Sequence, residues 1–259
     1  MSFTTDLYVP RDSWLHGLDP RVKLWGALAG GMAAFLLADA VLLLLLLIGV
    51  IALLRSGGVP LAKIRWALRG LLPLTVLILL IQPWFVPEGR VLLEIGPARL
   101  TVGGLLAALV IALRANVLAL LALLPLFTTR GDDLVRGLVQ LGLPYGWGLT
   151  ISLALRYIPT AAALYNAIRQ AQEARGLDLE RGGLVKRVRQ FVPILTALVI
   201  ASVRLSDHLA MAMAVRGLGV GPRTERRRLR LAGRDWLAAA GVTAGLAGVI
   251  LVRLAGGAG

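Results

Sequence analysis

The sequence contains no cysteine, which excludes disulfides and thiolate chemistry. Histidine occurs twice, as His16 and His208, too few for a histidine-rich metal site, and no metal site is expected. The long apolar stretches carry a single acid, Asp39, at a turn. There is no pair of carboxylates, no glycine-rich phosphate loop and no serine–histidine constellation. A membrane-embedded enzyme acting on lipid would need one of these in a polar cleft. An autonomous secondary transporter would show inverted repeats and acids near the membrane midplane, and neither is evident. A cleavable signal peptide is not expected either, because residues 1–23 are polar and carry Asp6, Asp12 and Asp19.

What is present is apolar surface and positive charge. The chain has 259 residues, 58% of them hydrophobic, with 28 Lys and Arg against 14 Asp and Glu. That length and composition allow four to six membrane spans and a cytoplasmic region. A net charge of +14 suits nucleic acid, anionic lipid headgroups or an acidic protein partner. The hydrophobicity argues against nucleic acid, leaving the bilayer and a protein.

Leu24 to Leu54 holds one charge, Asp39. As one helix it would reach about 46 Å, more than a hydrocarbon thickness of about 30 Å. It therefore reads as two spans, 22–38 and 40–55, turning at Asp39. Arg55 to Arg69 reads as a basic loop and short interfacial helix. A third span is expected over 70–87, bent or ended by Pro73 and Pro83. Val91-Leu92-Leu93 suits a hairpin strand, and 103–127 reads as a fourth span with Arg114 near its middle. Residues 1–127 would thus be an N-terminal membrane region, and 234–259 a C-terminal span.

Residues 128–233 differ. Their uncharged runs, Leu143 to Leu155 and Gln190 to Val203, reach only about 20 Å as helix, too short to span alone. Each continues as an amphipathic helix. Leu153, Tyr157, Ala161, Leu164 and Ile168 recur at three- and four-residue spacing, as do Leu195, Val199, Ser202, Ser206, Ala210 and Met213. Of the 28 basic residues, 24 lie in 1–23, 55–69 and 128–235. Basic loops stay in the cytoplasm. That places the N-terminus inside and requires an odd number of spans, which five satisfy. A multi-pass plasma-membrane protein is expected.

Two short motifs end the amphipathic helices, Ala174-Arg175-Gly176 and Ala214-Val215-Arg216-Gly217, their arginines 41 residues apart. Taken singly, each is an ordinary helix end, with glycine as the stop and arginine favourable against the negative helix terminus. As a pair in one basic region they suggest two similar sockets on a partner. The planar guanidinium fork suits such a socket.

The sequence resembles the transmembrane T component of energy-coupling factor transporters, a branch of the ABC importers. Tyr8-Val9-Pro10, Asp12-Ser13 and Leu15-His16-x-Leu18-Asp19-Pro20-Arg21-x-Lys23-Leu24 match that family's N-terminal signature. Gln172 to Gly176 and Ala212-Met213-Ala214-x-Arg216-Gly217 match its two coupling-helix signatures, and Arg156-Tyr157-Ile158-Pro159 and Phe191-Val192-Pro193 also fit. Val215 departs from the family's usual alanine. The resemblance spans roughly residues 7–236. It implies an all-α polytopic protein with two long coupling helices that cross, each arginine tip seated in a groove of one of two cytosolic ATPases. A small membrane S component would bind the substrate, a vitamin or transition-metal ion. This chain would be no enzyme and bind no cofactor itself; ATP and Mg would sit on the ATPases.

The remaining charged residues have plainer expectations. Arg114 should be paired in the bundle interior, with an S-component contact as the sharper alternative. Asp207 is placed to pair with Arg204 at i−3, and His208 reads as structural. Asp19 should cap the first span with Pro20 at its first position. Arg223 to Arg234, holding six arginines, reads as a lipid-headgroup segment.

Overall fold

The computed structural model describes residues 8–11, 13–85, 91–95, 98–177, 183–219, 221 and 231–256. Asp12 and the arginines at 223–230 therefore lie outside the described residues. The described chain is all-α apart from one hairpin and folds as two units. One combines residues 4–144 with 229–259. The other is residues 145–228.

The first unit is a helix bundle. Helix α1 runs Pro20–Leu36 and α2 Ala40–Ser56, each 17 residues, with the turn at 37–39 where Asp39 was expected to place it. Helix α1 starts as the sequence indicates: Pro20 stands at its first position, and the Asp19 carboxylate accepts the Arg21 backbone N–H at 2.9 Å. Helix α3, Leu61–Ile81, absorbs the segment expected to form a separate interfacial helix. Pro73 sits inside it without ending it; a 3₁₀ turn at Gln82–Trp84, containing Pro83, does. Strands β1, Val91–Ile95, and β2, Ala98–Thr101, pair antiparallel. Thr101 then caps α4, Val102–Thr128, by accepting the Gly104 N–H at 3.0 Å. Helix α5, Gly131–Gln140, and α8, Gly233–Gly256, complete the bundle.

Helix α4 is the centre of this unit, packing against α1, α2 and α3, while α8 packs on α1. Leu43, Leu54, Val117, Leu120 and Phe127 are fully buried. Gly30 of α1 faces the Leu121 side chain so closely that an added methyl would meet it at 3.0 Å, and small residues permit that approach between apolar helices. Outward, Leu72, Leu74, Val76, Leu77 and Leu80 of α3 are exposed, a surface that suits lipid rather than water.

The described residues of the second unit form two long helices, α6, Tyr145–Ala174, and α7, Leu184–Val215. They pack together, with the Tyr165 and Phe191 rings 6.2 Å apart. Pro159 and Pro193 lie inside them.

Among the described residues, four helical stretches are long and apolar enough to cross a membrane by length and composition: Leu61–Trp84, Val102–Thr128, Val188–Val215 and Gly233–Leu254. This set differs from the five expected spans. Helices α1 and α2, at 17 residues, reach only about 25 Å. Helix α7 enters because its 14-residue uncharged run continues without a break and meets few charges.

Candidate functional site: two arginine tips and the polar knots of the bundle

The two motifs end their helices with the same hydrogen-bond pattern. At the end of α6, Leu177 N–H reaches Gln172 C=O at 3.1 Å and Gly176 N–H reaches Glu173 C=O at 3.0 Å. At the end of α7, Leu218 N–H reaches Met213 C=O at 3.0 Å and Gly217 N–H reaches Ala214 C=O at 2.9 Å. This is the Schellman arrangement, which needs a left-handed residue after the helix. Gly176 has φ +90° and Gly217 φ +76°, where a side chain would be strained.

Helix termination fully accounts for the glycines, since α2 and α5 end the same way. Val59 N–H bonds Leu54 C=O at 3.0 Å with Gly58 at φ +80°, and Leu143 N–H bonds Leu138 C=O at 3.1 Å with Gly142 at φ +118°. The residue before the left-handed glycine separates the pairs. It is Gly57 and Leu141 in the bundle, but Arg175 and Arg216 in the long helices. Both arginines are exposed. Glu173, the acid nearest Arg175 in sequence, is taken by Arg169 at 2.7 Å. Among the described residues neither the Arg175 nor the Arg216 guanidinium has a hydrogen-bond or ion-pair partner; only their backbone N–H groups are bonded, to Gln172 and Ala212.

Arg156, Arg204 and Asp207 are also exposed. The expected Arg204–Asp207 pair does not form among the described residues. In solvent such a pair gains little over its rotamer entropy. Ala174 and Ala214 are small exposed residues just before the tips.

The N-terminal signature does different work. Lys23 is 3% exposed, and its ammonium donates to three oxygens: His16 C=O at 3.2 Å, Thr128 C=O at 3.0 Å and Thr129 Oγ1 at 3.0 Å. It thereby ties the start of α1 to the end of α4. Arg21 lies 3.7 Å from Asp19. Asp19, 6% exposed, donates its backbone N–H at 2.9 Å to Asp235, itself 4% exposed. The other oxygen of Asp235 accepts the Ala232 N–H at 2.7 Å, the reach-back half of a capping box. His16 Nδ1 lies 2.7 Å from Ser13 Oγ, and that hydroxyl donates to Gly57 C=O at 2.6 Å. One knot therefore joins α1, α4 and α8. Asp235 was not singled out from the sequence; its legible signal is an acid three residues after Ala232 in the first turn of the last apolar helix.

Arg114 lies at a second knot. Its Nε donates to Ala34 C=O at 2.9 Å and its Nη2 to Leu37 C=O at 2.8 Å, with the Phe35 ring 5.8 Å away. Its partners are the carbonyls ending α1, which lack intrahelical donors. Arg114 is thus paired in the bundle interior by backbone carbonyls rather than by an acid.

Residues 11–225 match the family described as cobalt transport protein, CbiQ. The energy-coupling factor transporter transmembrane protein EcfT of Thermosediminibacter oceani is 34% identical over 243 residues, covering 90% of this chain and 91% of that protein. The EcfT protein of Heliobacterium modesticaldum is 33% identical over 261 residues, covering 96% and 95%. That of Bacillus subtilis is 32% identical over 240 residues, covering 88% and 89%. The family match takes in most of both knots and both arginine tips. With its membrane-length apolar helices, the chain belongs to the CbiQ family of energy-coupling factor transporter transmembrane components, as a multi-pass membrane protein.

Proposed function

We propose that this chain is the non-catalytic scaffold that couples two cytosolic ATPases to a substrate-binding S component, driving import of a vitamin or transition-metal ion. ATP and Mg belong to the ATPases. The observation that carries this reading is the pair of exposed arginines on one repeated Schellman framework, neither guanidinium spent on an interaction among the described residues. Two like tips suit two like grooves. Guanidinium forks suit the carboxylates or carbonyls of a socket. Met211 and Met213 offer a pliable apolar surface beside the second tip.

A charge-assisted arginine contact contributes about 1.5–3 kcal/mol. Losing one tip should weaken docking about ten- to a hundredfold, while apolar contacts near Leu177 and Leu218 retain the ATPases. Arg175→Ala and Arg216→Ala should each reduce ATPase retention and uptake. The double variant should lose both, or uncouple hydrolysis from uptake, and lysine should rescue only in part. Wild-type uptake in the double variant would remove the proposal.

The reading also constrains topology. Arg175 precedes α7 and Arg216 follows it, so α7 must begin and end on the cytoplasmic side. With no native cysteine, Gly183→Cys and Val215→Cys can be labelled singly in sealed vesicles. Labelling from opposite sides would refute the arrangement.

A further inference from the structure

The corner between α1 and α2 lies beside the last turns of α8. A second arginine joins Arg114 in holding the end of α1: Arg253 Nη1 donates to Leu36 C=O at 3.0 Å. Next to this contact is a cavity of about 440 Å³, its apolar wall including Leu37, Leu42, Val249 and Val252, with one charge of each sign, Asp39 and Arg253. The two charges do not pair with one another. Asp39 is exposed, and although it heads α2 its carboxylate makes no capping hydrogen bond. Arg253 spends one N–H on Leu36, leaving most of its fork undirected among the described residues.

Opposite charges that share an apolar-walled space without meeting complement a ligand that carries both charges and an apolar body. The depth of the cavity narrows the choice. Arg253 follows Asp235 of the first knot by 18 residues of α8, about 27 Å of helix. That is close to one hydrocarbon thickness of about 30 Å. The cavity therefore lies near the level where lipid headgroups meet their chains, at the end of the bundle away from the first knot.

We propose that this cavity binds one aminophospholipid of the phosphatidylethanolamine class. The guanidinium of Arg253 takes the phosphate, for which its fork is suited. The primary ammonium donates to Asp39, and an acyl chain lies along Leu42, Val249 and Val252. A phosphatidylcholine headgroup has no N–H to give Asp39. A phosphatidylglycerol headgroup has no cation at all. The bound lipid would join the α1–α2 corner to α8 beside the Arg253 hydrogen bond to Leu36. The proposal is independent of the arginine tips.

The test uses the full-length protein, delipidated in detergent and titrated by native mass spectrometry with phosphatidylethanolamine, phosphatidylcholine and phosphatidylglycerol of matched chains. Wild type should hold one equivalent of phosphatidylethanolamine about three- to tenfold more tightly than the other two, the increment of one additional hydrogen-bonded contact. Asp39→Asn should erase that preference. Arg253→Gln should weaken all three lipids. A diazirine-bearing phosphatidylethanolamine should crosslink to peptides containing Leu42 or Val249 to Val252. Soluble phosphoethanolamine at equal concentration should not displace the lipid; full displacement would make this a headgroup site and overturn the lipid assignment. Equal affinity for the three lipids in wild type, or an undiminished preference in Asp39→Asn, would overturn the proposal outright. Should Arg253→Gln fail to accumulate, Asp39→Asn still decides, because its side chain is exposed and supports no hydrogen bond.

Discussion

The bundle and the long helix pair treat charge in opposite ways. In the bundle, Lys23, Asp19 and Asp235 are nearly inaccessible and bonded, and Arg114 is half-buried on the end of α1. In the pair, Arg156, Arg175, Arg204, Asp207 and Arg216 are exposed and their side chains have no partner among the described residues. Apolar burial follows the same division. The bundle has a continuous core, whereas the pair buries only Gly148 and Ile194 among its described residues. A buried charge must be bonded or it costs several kcal/mol, so the bundle's buried charges are bound to its stability. An exposed arginine carries no such obligation and remains available to another molecule.

The largest break in that contrast is expected at Lys23. Lys23→Met leaves two backbone carbonyls and a hydroxyl without their donor and removes the cation beside Asp19 and Asp235. Unsatisfied buried groups cost about 1–3 kcal/mol each, partly relieved by water. A loss near 3 kcal/mol lowers the melting temperature by about 6–12 °C for a chain of this size. Thermal unfolding in detergent measures it, and an unchanged melt would mean that the knot is ornamental. Arg114→Leu is expected to cost less, about 2 kcal/mol, since it orphans two carbonyls at a helix end that water can partly reach. A melt as low as that of Lys23→Met would make the second knot the stronger.

Gly217→Ala sharpens the comparison within the helix pair. Forcing alanine to φ +76° costs about 1 kcal/mol, and Gly58→Ala should cost about the same, since both glycines serve the same termination. The two should part in ATPase retention: Gly217→Ala tilts the tip and weakens it, while Gly58→Ala does not. Equal retention would separate tip geometry from docking. The smallest effect on stability is expected at the tips themselves. Arg175→Ala and Arg204→Ala should each leave the melt within about 0.5 kcal/mol of wild type. A collapse of Arg175→Ala would make that arginine structural.

Much of this was legible in the sequence because the signals are local. Asp39 marked the α1–α2 turn, Asp19-Pro20 marked the start of α1, and Val91-Leu92-Leu93 marked the hairpin. The glycines after Arg175 and Arg216 marked two helix ends. Each depends on a few adjacent residues and their dihedral preferences. Boundaries were less legible where the pattern gave no stop. Prolines 73, 159 and 193 interrupt none of their helices, since neighbouring turns carry the helix past one missing N–H. The 14-residue uncharged run in α7 therefore belongs to a helix of 32 residues, more than twice its length.

The sequence by itself determined the class, the basic asymmetry and the two tips, because composition, hydropathy and glycine stops act over a few residues. Only the tertiary structure decided the partners. Lys23 meets Thr128 and Asp19 meets Asp235 across 105 and 216 residues. Arg114 takes the carbonyls of α1, Arg253 stands beside Asp39 without pairing, and Arg204 leaves its near neighbour Asp207 alone. Spacing along a chain says which residues are close in a helix. It does not say which buried group lacks a partner, and that deficit, settled only when the helices pack, selects the bonds.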